Sequence, residues 1–321
     1  MSARTRRVAT ASAIALVTAV SAAVLLPMTA NAAPAAKSAK AAAAVKAATV
    51  LNGTSKSNGL TISTGTRYVV MNGTRVDFGV IVRDLAWSPD GKKAAFVDGN
   101  GSLETANPDG TGRRVVAVNP GHQTWSHPTW QVTKNDPADG LPAKDNLILT
   151  VNKGGSTSLK RISATASHGT LATLSLGNYF DEGVPANPTT GNNWADGNGG
   201  YGTVVYDNTR NGEIYIRDDY LRQQGGAITK GSEPALSPNG EEIVFVRSVK
   251  GHDHIFTSDT NGAHVRDLTP GATTNYTEPD FSANGRTIAF RSPNGSYTLP
   301  ATGSHTPTRV SGYTGLIAYR A

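Results

Sequence analysis

The chain has 321 residues, a formal net charge of +6 and no cysteine. The missing cysteine excludes a disulfide framework, a thiolate metal site, an iron–sulfur cluster and a cysteine nucleophile. The length allows one large domain or two of ordinary size. A basic balance is compatible with a nucleic-acid partner, so the positive charges have to be located along the chain.

The first 32 residues carry the pattern of a secretory signal peptide. Arg4, Arg6 and Arg7 precede an uncharged apolar stretch at positions 8–26, and a small-x-small site follows at positions 30–32. This order predicts cleavage after Ala32 and release of a secreted, extracellular protein that keeps no membrane segment. The alternative is an uncleaved anchor, because the apolar stretch is long enough to span a bilayer.

Residues 33–59 are predicted to be a leader or linker, and residues 60–321 a single domain. The leader is rich in alanine, carries Lys37, Lys40 and Lys46, and has no amphipathic stripe to bury. Residues 1–49 hold all of the excess positive charge, since residues 50–321 contain 24 basic and 24 acidic residues. Nucleic acid is therefore not an expected partner.

A turn motif recurs through the domain. Residues 87–91 read WSPDG, residues 236–240 read LSPNG, and residues 281–285 read FSANG. Proline fixes φ, Asp or Asn bonds its own backbone, and glycine accepts positive φ, so each copy predicts a tight turn. A β-branched or aromatic run follows each turn, which indicates a hairpin of two strands.

The repeat has a period of about 45 residues, which is typical of propeller blades. It predicts five nearly whole units of four antiparallel strands, with the third unit starting at residues 183–186. A sixth unit is split between the termini: residues 316–320 resemble residues 288–291, while strand-like runs at 67–71 and 76–80 precede the first unit. Pairing the terminal strands would close a ring. The expected fold is an all-β propeller of six blades, with five or seven as alternatives.

The Trp-Ser-Pro-Asp-Gly run, the strand behind it and the later Pro-Asp-Gly or Asn-Gly hairpin are similar to the TolB-like propeller family, which has WD40-like Pro-Asp repeats. The resemblance covers roughly residues 60–321. It is good at 87–116, 234–268 and 279–290 and poor at 128–200. It implies a six-bladed, exported bacterial propeller that binds other proteins. It implies no enzymatic activity, because one fold hosts many functions.

Few residues point to catalysis. The chain contains no Gly-x-Ser-x-Gly elbow and no His-Glu-x-x-His motif. His252 and His254 are weak candidates for a metal site, because residues i and i+2 of a strand share a face. The repeat places them at a turn, where an exposed polar turn is the favoured interpretation. No cofactor is expected, and the chain is interpreted as non-enzymatic.

The binding surface is predicted where the repeat breaks, because propellers bind through loops and the channel mouth. Two insertions stand out, at residues 131–146 and 187–201. Aromatic residues in or beside them are the binding candidates, because exposed aromatics suit contact with proteins or glycans. The candidates are Trp125, His127, Tyr179, Trp194 and Tyr201. Trp130 is instead expected to fill a core position.

These observations together predict a secreted, monomeric propeller that binds an extracellular protein through its loop insertions and channel mouth. Three alternatives remain. The first is a carbohydrate or cell-wall binding module. The second is a modulator of an extracellular protease or a transglutaminase substrate. The third is a glycosidase-type enzyme in the central channel, although adjacent carboxylates on a strand face opposite sides.

Overall fold

The computed structural model of the chain describes residues 49–177, 186–197, 202–219, 225–303 and 306–321. Within these ranges the regular structure is entirely β-strand, and the strands form six four-stranded antiparallel sheets. The sheets are the blades of a β-propeller. In the same ranges, no helix is long and apolar enough to cross a membrane. The predicted all-β, six-bladed fold is confirmed.

The strands are numbered in chain order. Blade 1 is the first blade whose four strands are consecutive in the sequence. The chain opens with three strands that belong to the last blade: β1 (Leu60–Ser63), β2 (Tyr68–Met71) and β3 (Thr74–Asp77). Blade 1 contains β4 (Arg83–Trp87), β5 (Ala94–Val97), β6 (Leu103–Ala106) and β7 (Arg114–Ala117). Blade 2 contains β8 (Thr124–Thr133), β9 (Lys144–Lys153), β10 (Ser156–Ser163) and β11 (Ala172–Thr173).

The second half of the ring has the same order. Blade 3 contains β12 (Asn192–Asp196), β13 (Val204–Asn208), β14 (Glu213–Arg217) and β15 (Gly225–Lys230). Blade 4 contains β16 (Ser232–Leu236), β17 (Glu242–Val249), β18 (His252–Asp259) and β19 (Arg266–Asp267). Blade 5 contains β20 (Thr277–Phe281), β21 (Thr287–Ser292), β22 (Gly295–Pro300) and β23 (Thr308–Ser311). Blade 6 joins β24 (Leu316–Tyr319) to β1, β2 and β3.

The ring closes through blade 6, as the sequence predicts. Strand β24 pairs antiparallel with β1, in a register that runs from Leu60 opposite Tyr319 to Ser63 opposite Leu316. The Thr61 hydroxyl also donates a hydrogen bond of 2.7 Å to the Ala318 carbonyl. Closure therefore gives blade 6 four strands like the other blades, one from residues 316–319 and three from residues 60–77.

The core lies between neighbouring blades and repeats with them. The second strand of several blades carries a large aromatic residue at one repeat position. Phe96, Tyr206, Phe245 and Phe290 occupy it, and each is fully buried. Trp130 is also buried, at 6% exposure, so its predicted core position is confirmed. Alternating inward residues thus build one apolar layer between each pair of blades.

The predicted turns form as expected. The hydroxyls of Ser88, Ser237 and Ser282 each accept the backbone N–H five residues later, at 2.9 to 3.0 Å. The Asp or Asn two residues after each serine accepts a further backbone N–H from within the turn. These bonds satisfy turn groups that cannot join the ladder, which explains the recurring serine.

Two predicted boundaries are wrong. The inner strand of blade 3 is β12, Asn192–Asp196, which lies inside the stretch interpreted as a loop insertion at 187–201. It was missed because Gly197 follows it in place of the Ser-Pro-Asp-Gly turn, and because its sequence is polar. Residues 183–185 of the proposed start are outside the described residues. The other insertion, at 131–146, is shorter than predicted, because β8 extends to Thr133 and β9 begins at Lys144.

Candidate functional site

Six inner strands line the central channel, and five of them contain a β-bulge. The bulges lie in β4, β8, β12, β16 and β20, where the register with the next strand shifts. One residue of each bulge has positive φ, between 48° and 54°. We call this set the bulge ring; it consists of Asp84, His127, Trp194, Glu233 and Glu278.

The bulge ring is strained and faces a small cavity. Positive φ is uncommon for residues other than glycine, and it clusters at functional sites because the surrounding fold has to enforce it. Four of its five members, all except Glu233, line a cavity of about 90 Å³ at the mouth of the channel. A bulge re-aims a side chain relative to its strand, so the repeat places one chosen side chain per blade at this mouth.

Acidic members of the ring join neighbouring blades. The Asp84 carboxylate accepts the bulge N–H of His127 from the next blade, at 3.2 Å. The Glu233 carboxylate accepts the bulge N–H of Glu278 from the next blade, at 2.7 Å. Each bond satisfies a backbone donor that the bulge removes from the ladder. An acid at this position is therefore a staple between consecutive blades.

Where the ring residue is His or Trp, another side chain takes over. The Thr150 hydroxyl of β9 accepts the N–H of Trp194 at 3.1 Å, and the Asp207 carboxylate of β13 accepts the N–H of Glu233 at 3.1 Å. Thr150 and Asp207 occupy the same repeat position, directly after the core residue of the second strand. Burial raises the pKa of Asp207 to about 7.

Glu278 is the acid of the ring that has no staple to make. Strand β24 pairs with β1 without a bulge, so blade 6 offers no bulge N–H to Glu278. One oxygen of Glu278 pairs with Arg291, and the other, Oε2, has no hydrogen-bond partner among the described residues. Glu278 is 8% exposed. Burial, opposed by Arg291 and reinforced by Glu233 and Asp84, raises its pKa to about 8.

His127 and Trp194 form the aromatic side of the mouth. Their ring centroids are 3.7 Å apart and their planes are inclined by 36°. Burial lowers the pKa of His127, so its imidazole is neutral near pH 7. Its Nδ1 atom has no hydrogen-bond partner among the described residues. The mouth therefore combines flat neutral rings with carboxylates.

Two aspartates form a second level deeper in the channel. Asp196 accepts the N–H of Leu236 at 2.8 Å, and Asp280 accepts the N–H of Tyr319 at 3.0 Å. Both side chains lie beside the channel and are surrounded by protein. Burial raises the pKa of Asp196 and raises the pKa of Asp280 to about 7. They also line a cavity of about 220 Å³ toward the opposite face, whose wall includes Trp87.

The structure separates the predicted binding residues. His127 and Trp194 come together in the bulge ring, although they are on inner strands and not on loops. Trp125 is only 6% exposed and packs in the core between blades 1 and 2. Tyr179 and Tyr201 lie outside the described residues.

The histidine pair lies on a strand, not at a turn as the repeat suggested. His252 and His254 begin β18. His254 is 4% exposed, and its Nδ1 atom is 2.8 Å from the Asp267 carboxylate. Across the described parts of the chain, no group of three or more His, Cys, Asp or Glu side chains is arranged to hold a metal ion.

Sequence reasoning missed the acidic members of the ring, yet a signal was present. The three acids each lie three residues before the first residue of a recurring turn motif, as in DLAWSPDG, EPALSPNG and EPDFSANG. The acids are Asp84, Glu233 and Glu278. An acid that recurs at the same offset in a repeat indicates that the copies share one structural environment. The structure shows that this environment is the β-bulge.

Comparisons with known proteins agree on the fold. The chain matches no protein-family model and no curated protein sequence. TolB from Acinetobacter baumannii is similar in structure, with a TM-score of 0.56 and 17% identity over 84% of this chain and 65% of that one. A putative TolB from Agrobacterium tumefaciens matches with a TM-score of 0.52 and 16% identity, over 80% of this chain and 90% of that one. The chain thus spans slightly less than two thirds of the Acinetobacter protein, and its fold is that of a TolB-like six-bladed β-propeller.

Proposed function

We propose that this chain is an exported, non-enzymatic propeller that binds a polypeptide partner at the mouth formed by the bulge ring. The observation that carries the proposal is the ring itself. Five strained residues of different chemistry surround one channel mouth, and one buried carboxylate oxygen among them has no hydrogen-bond partner within the described part of the chain. A TolB-like propeller fold is compatible with a protein-binding module.

The residue types at the mouth favour a binding role for the bulge ring over a role limited to joining the blades. A repeat that only had to close its blades could use one staple residue at every bulge, yet this ring contains two aromatic residues. Thr150 and Asp207 accept the bulge N–H groups of Trp194 and Glu233, which His127 and Trp194 leave without an acceptor. Aromatic residues next to charged ones are typical of interaction hot spots. Loops around a rigid scaffold usually supply such surfaces, but here inner strands hold the side chains in place.

The test is capture of a partner from culture supernatant by the immobilised protein, followed by mass spectrometry. We expect Trp194→Ala to reduce recovery of that partner at least tenfold, because the variant removes the aromatic wall. Tyr68→Ala is the matched control, since it removes an aromatic residue from β2, outside the cavity lining. Equal recovery by the wild type and Trp194→Ala would contradict the proposal, as would retention on insoluble glycan that depends on Trp194.

The proposed location follows from residues 1–32 and needs its own test. We expect the protein from the medium to begin near Ala33, because the small-x-small site follows the apolar stretch. N-terminal sequencing measures this directly. A terminus at Met1, or a protein that stays with the membrane fraction, would overturn the proposal of secretion.

A further inference from the structure

The bulge ring brings together more carboxyl groups than there are cations paired with them among the described residues. Asp84, Glu233 and Glu278 interact through their charges around one mouth, and Asp253 adds a fourth carboxylate near Glu233. Arg291 is the cation that pairs with this group. His127 is buried and neutral and contributes no compensating charge. Such an arrangement attracts a cation.

The most buried of these carboxylates is also incompletely bonded. Glu278 lines the cavity at 8% exposure, and its Oε2 atom has no hydrogen-bond partner among the described residues. Leaving a buried acceptor without a hydrogen bond is unfavourable, and more so when the group is charged. Asp84 and Glu233 already use an oxygen on a backbone N–H. Glu278 is thus the carboxylate that a ligand can bind without breaking a staple.

The lining of the same cavity also contains an aromatic residue that suits an organic cation. The Trp194 indole lines the cavity together with Glu278. Ammonium and guanidinium groups bind favourably over an indole face and pair with carboxylates. The cavity has a volume of about 90 Å³, and one water occupies about 30 Å³ in the liquid. The cavity therefore has room for the end of a side chain.

We propose that the bulge ring recognises a lysine or arginine side chain of the polypeptide partner, with its cationic group bound between Glu278 and Trp194. This inference rests on the proposed function, because it assumes a polypeptide at the mouth. The cation adds the missing partner of Glu278 Oε2 and neutralises part of the charge shared with Glu233. Arg291 keeps its bond to the other carboxylate oxygen.

The direct test uses short capped peptides and the full-length protein after signal removal. The probes are acetyl-Gly-Gly-Lys-Gly-Gly-amide and its norleucine counterpart, each with a fluorophore, and binding is measured by anisotropy at low salt. We expect the lysine peptide to bind at least tenfold more tightly than the norleucine peptide. Equal affinity for the two peptides would overturn the inference, because norleucine keeps the alkyl chain and lacks the charge.

Variants locate the site. Glu278→Gln preserves shape and hydrogen bonding, and we expect it to lower the affinity for the lysine peptide about tenfold. Glu241→Gln is the matched control, because it removes one negative charge from an exposed turn away from the cavity lining. Equal effects of the two variants would mean general electrostatic attraction and would overturn the inference. Melting temperatures confirm that both variants are folded. Trp194→Phe tests the second contact, that of the cation with the indole, and should weaken lysine binding about threefold.

Further outcomes separate this inference from the proposed function. If 1 mM Ca²⁺ binds in a Glu278-dependent manner and the lysine peptide shows no preference over norleucine, the site takes a metal ion and the inference fails. If Trp194→Ala loses a captured partner that Glu278→Gln retains, the proposed function stands and the inference fails. If lysine binding depends on Glu278 but capture of every partner is independent of Trp194, the cation site stands and the proposed function fails.

Discussion

At the level of single residues, the propeller is joined by carboxylates and hydroxyls that accept bulge N–H groups. Asp84 and Glu233 do this from the ring itself, while Thr150 and Asp207 do so from the second strand. Glutamate therefore has two different roles around the mouth. Glu233 is occupied by a backbone donor, whereas Glu278 keeps an oxygen that accepts no hydrogen bond from any residue the structure describes.

Removing a staple should cost stability. Glu233→Ala leaves the buried N–H of Glu278 without its acceptor, so we expect a loss of about 1–3 kcal/mol in the free energy of unfolding. Glu233→Gln retains an acceptor oxygen and should lose less than half as much. Urea denaturation at pH 7 measures both. Identical losses in the two variants would show that the charge of Glu233, and not its hydrogen bond, is what matters.

The channel aspartate Asp280 makes stability depend on pH. Burial, together with the charge of Asp196, raises its pKa to about 7, so the folded state holds this proton more tightly than the unfolded chain. Stability from this group is therefore fully present below about pH 4 and is lost as pH rises to about 7. The full shift corresponds to about 4 kcal/mol, an upper bound because the carboxyl borders the channel.

Asp280→Asn tests this dependence, because the amide oxygen can still accept the Tyr319 N–H. We expect the variant to be about 1–3 kcal/mol more stable than the wild type at pH 8 and equal to it at pH 4. Guanidinium denaturation across this pH range measures the difference. A constant difference at all pH values would show that Asp280 does not carry the proton. Asp207 and Glu278, with pKa values of about 7 and 8, act with the same sign and remain in both proteins.

At the level of elements, hairpin turns set the spacing between blades. The turn that ends at Gly110 reaches the end of β3 in the neighbouring blade, where a Cβ on Gly110 would come within 2.4 Å of the Asp77 carbonyl oxygen. Gly240 has nearly the same φ, 75° against 81°, but no atom lies within 4 Å of its ideal Cβ. The two turns close with the same hydrogen bond, although one joins β6 to β7 and the other joins β16 to β17, and their glycines have different surroundings.

This pair separates backbone strain from close contact. Gly240→Ala should cost about 1–2 kcal/mol, which is the price of placing an alanine in the left-handed region. Gly110→Ala should cost at least about 1 kcal/mol more, because a backbone oxygen occupies the space. Thermal unfolding of the two variants measures the difference. Equal melting temperatures would show that blades 1 and 6 can move apart at this point without a loss of stability.

At the level of the whole molecule, the chain has no disulfide, and the pairing of β24 with β1 closes the ring. The pairs between β24 and β1 join residues more than 250 positions apart, as in the bond from Thr61 to Ala318. Ile317 of β24 is 4% exposed and packs with Leu60 and Ile62. Closure therefore depends on burying one short strand.

Ile317→Asp should open the ring. A charge placed in this apolar cluster is unpaired, so we expect a loss of at least about 3 kcal/mol and a lower melting temperature. Ile81→Asp is the control, because Ile81 is 41% exposed and should change stability by less than about 1 kcal/mol. Calorimetry of both variants measures the effect. Comparable losses would indicate that closure of blade 6 contributes little to stability.

The sequence by itself determined the fold, because that information is local and repeated. Each Ser-Pro-Asp-Gly type of turn and the apolar strand behind it could be recognised separately, and their period predicted six blades with terminal closure. Blade 3 was placed wrongly, because the inner strand at Asn192–Asp196 is polar and ends at Gly197 without that turn. A strand stabilised by its neighbours in the ring has no reason to show a local signal.

Only the tertiary structure decided which residues form the candidate site. His127 and Trp194 are far apart in sequence, and the ring geometry places their rings 3.7 Å apart. Trp125, only two residues before His127, is directed into the core instead. The difference between Glu233 and Glu278, which have the same sequence context, arises from whether the next blade has a bulge. Such partners belong to other blades, so no local pattern could reveal which carboxylate is left without one.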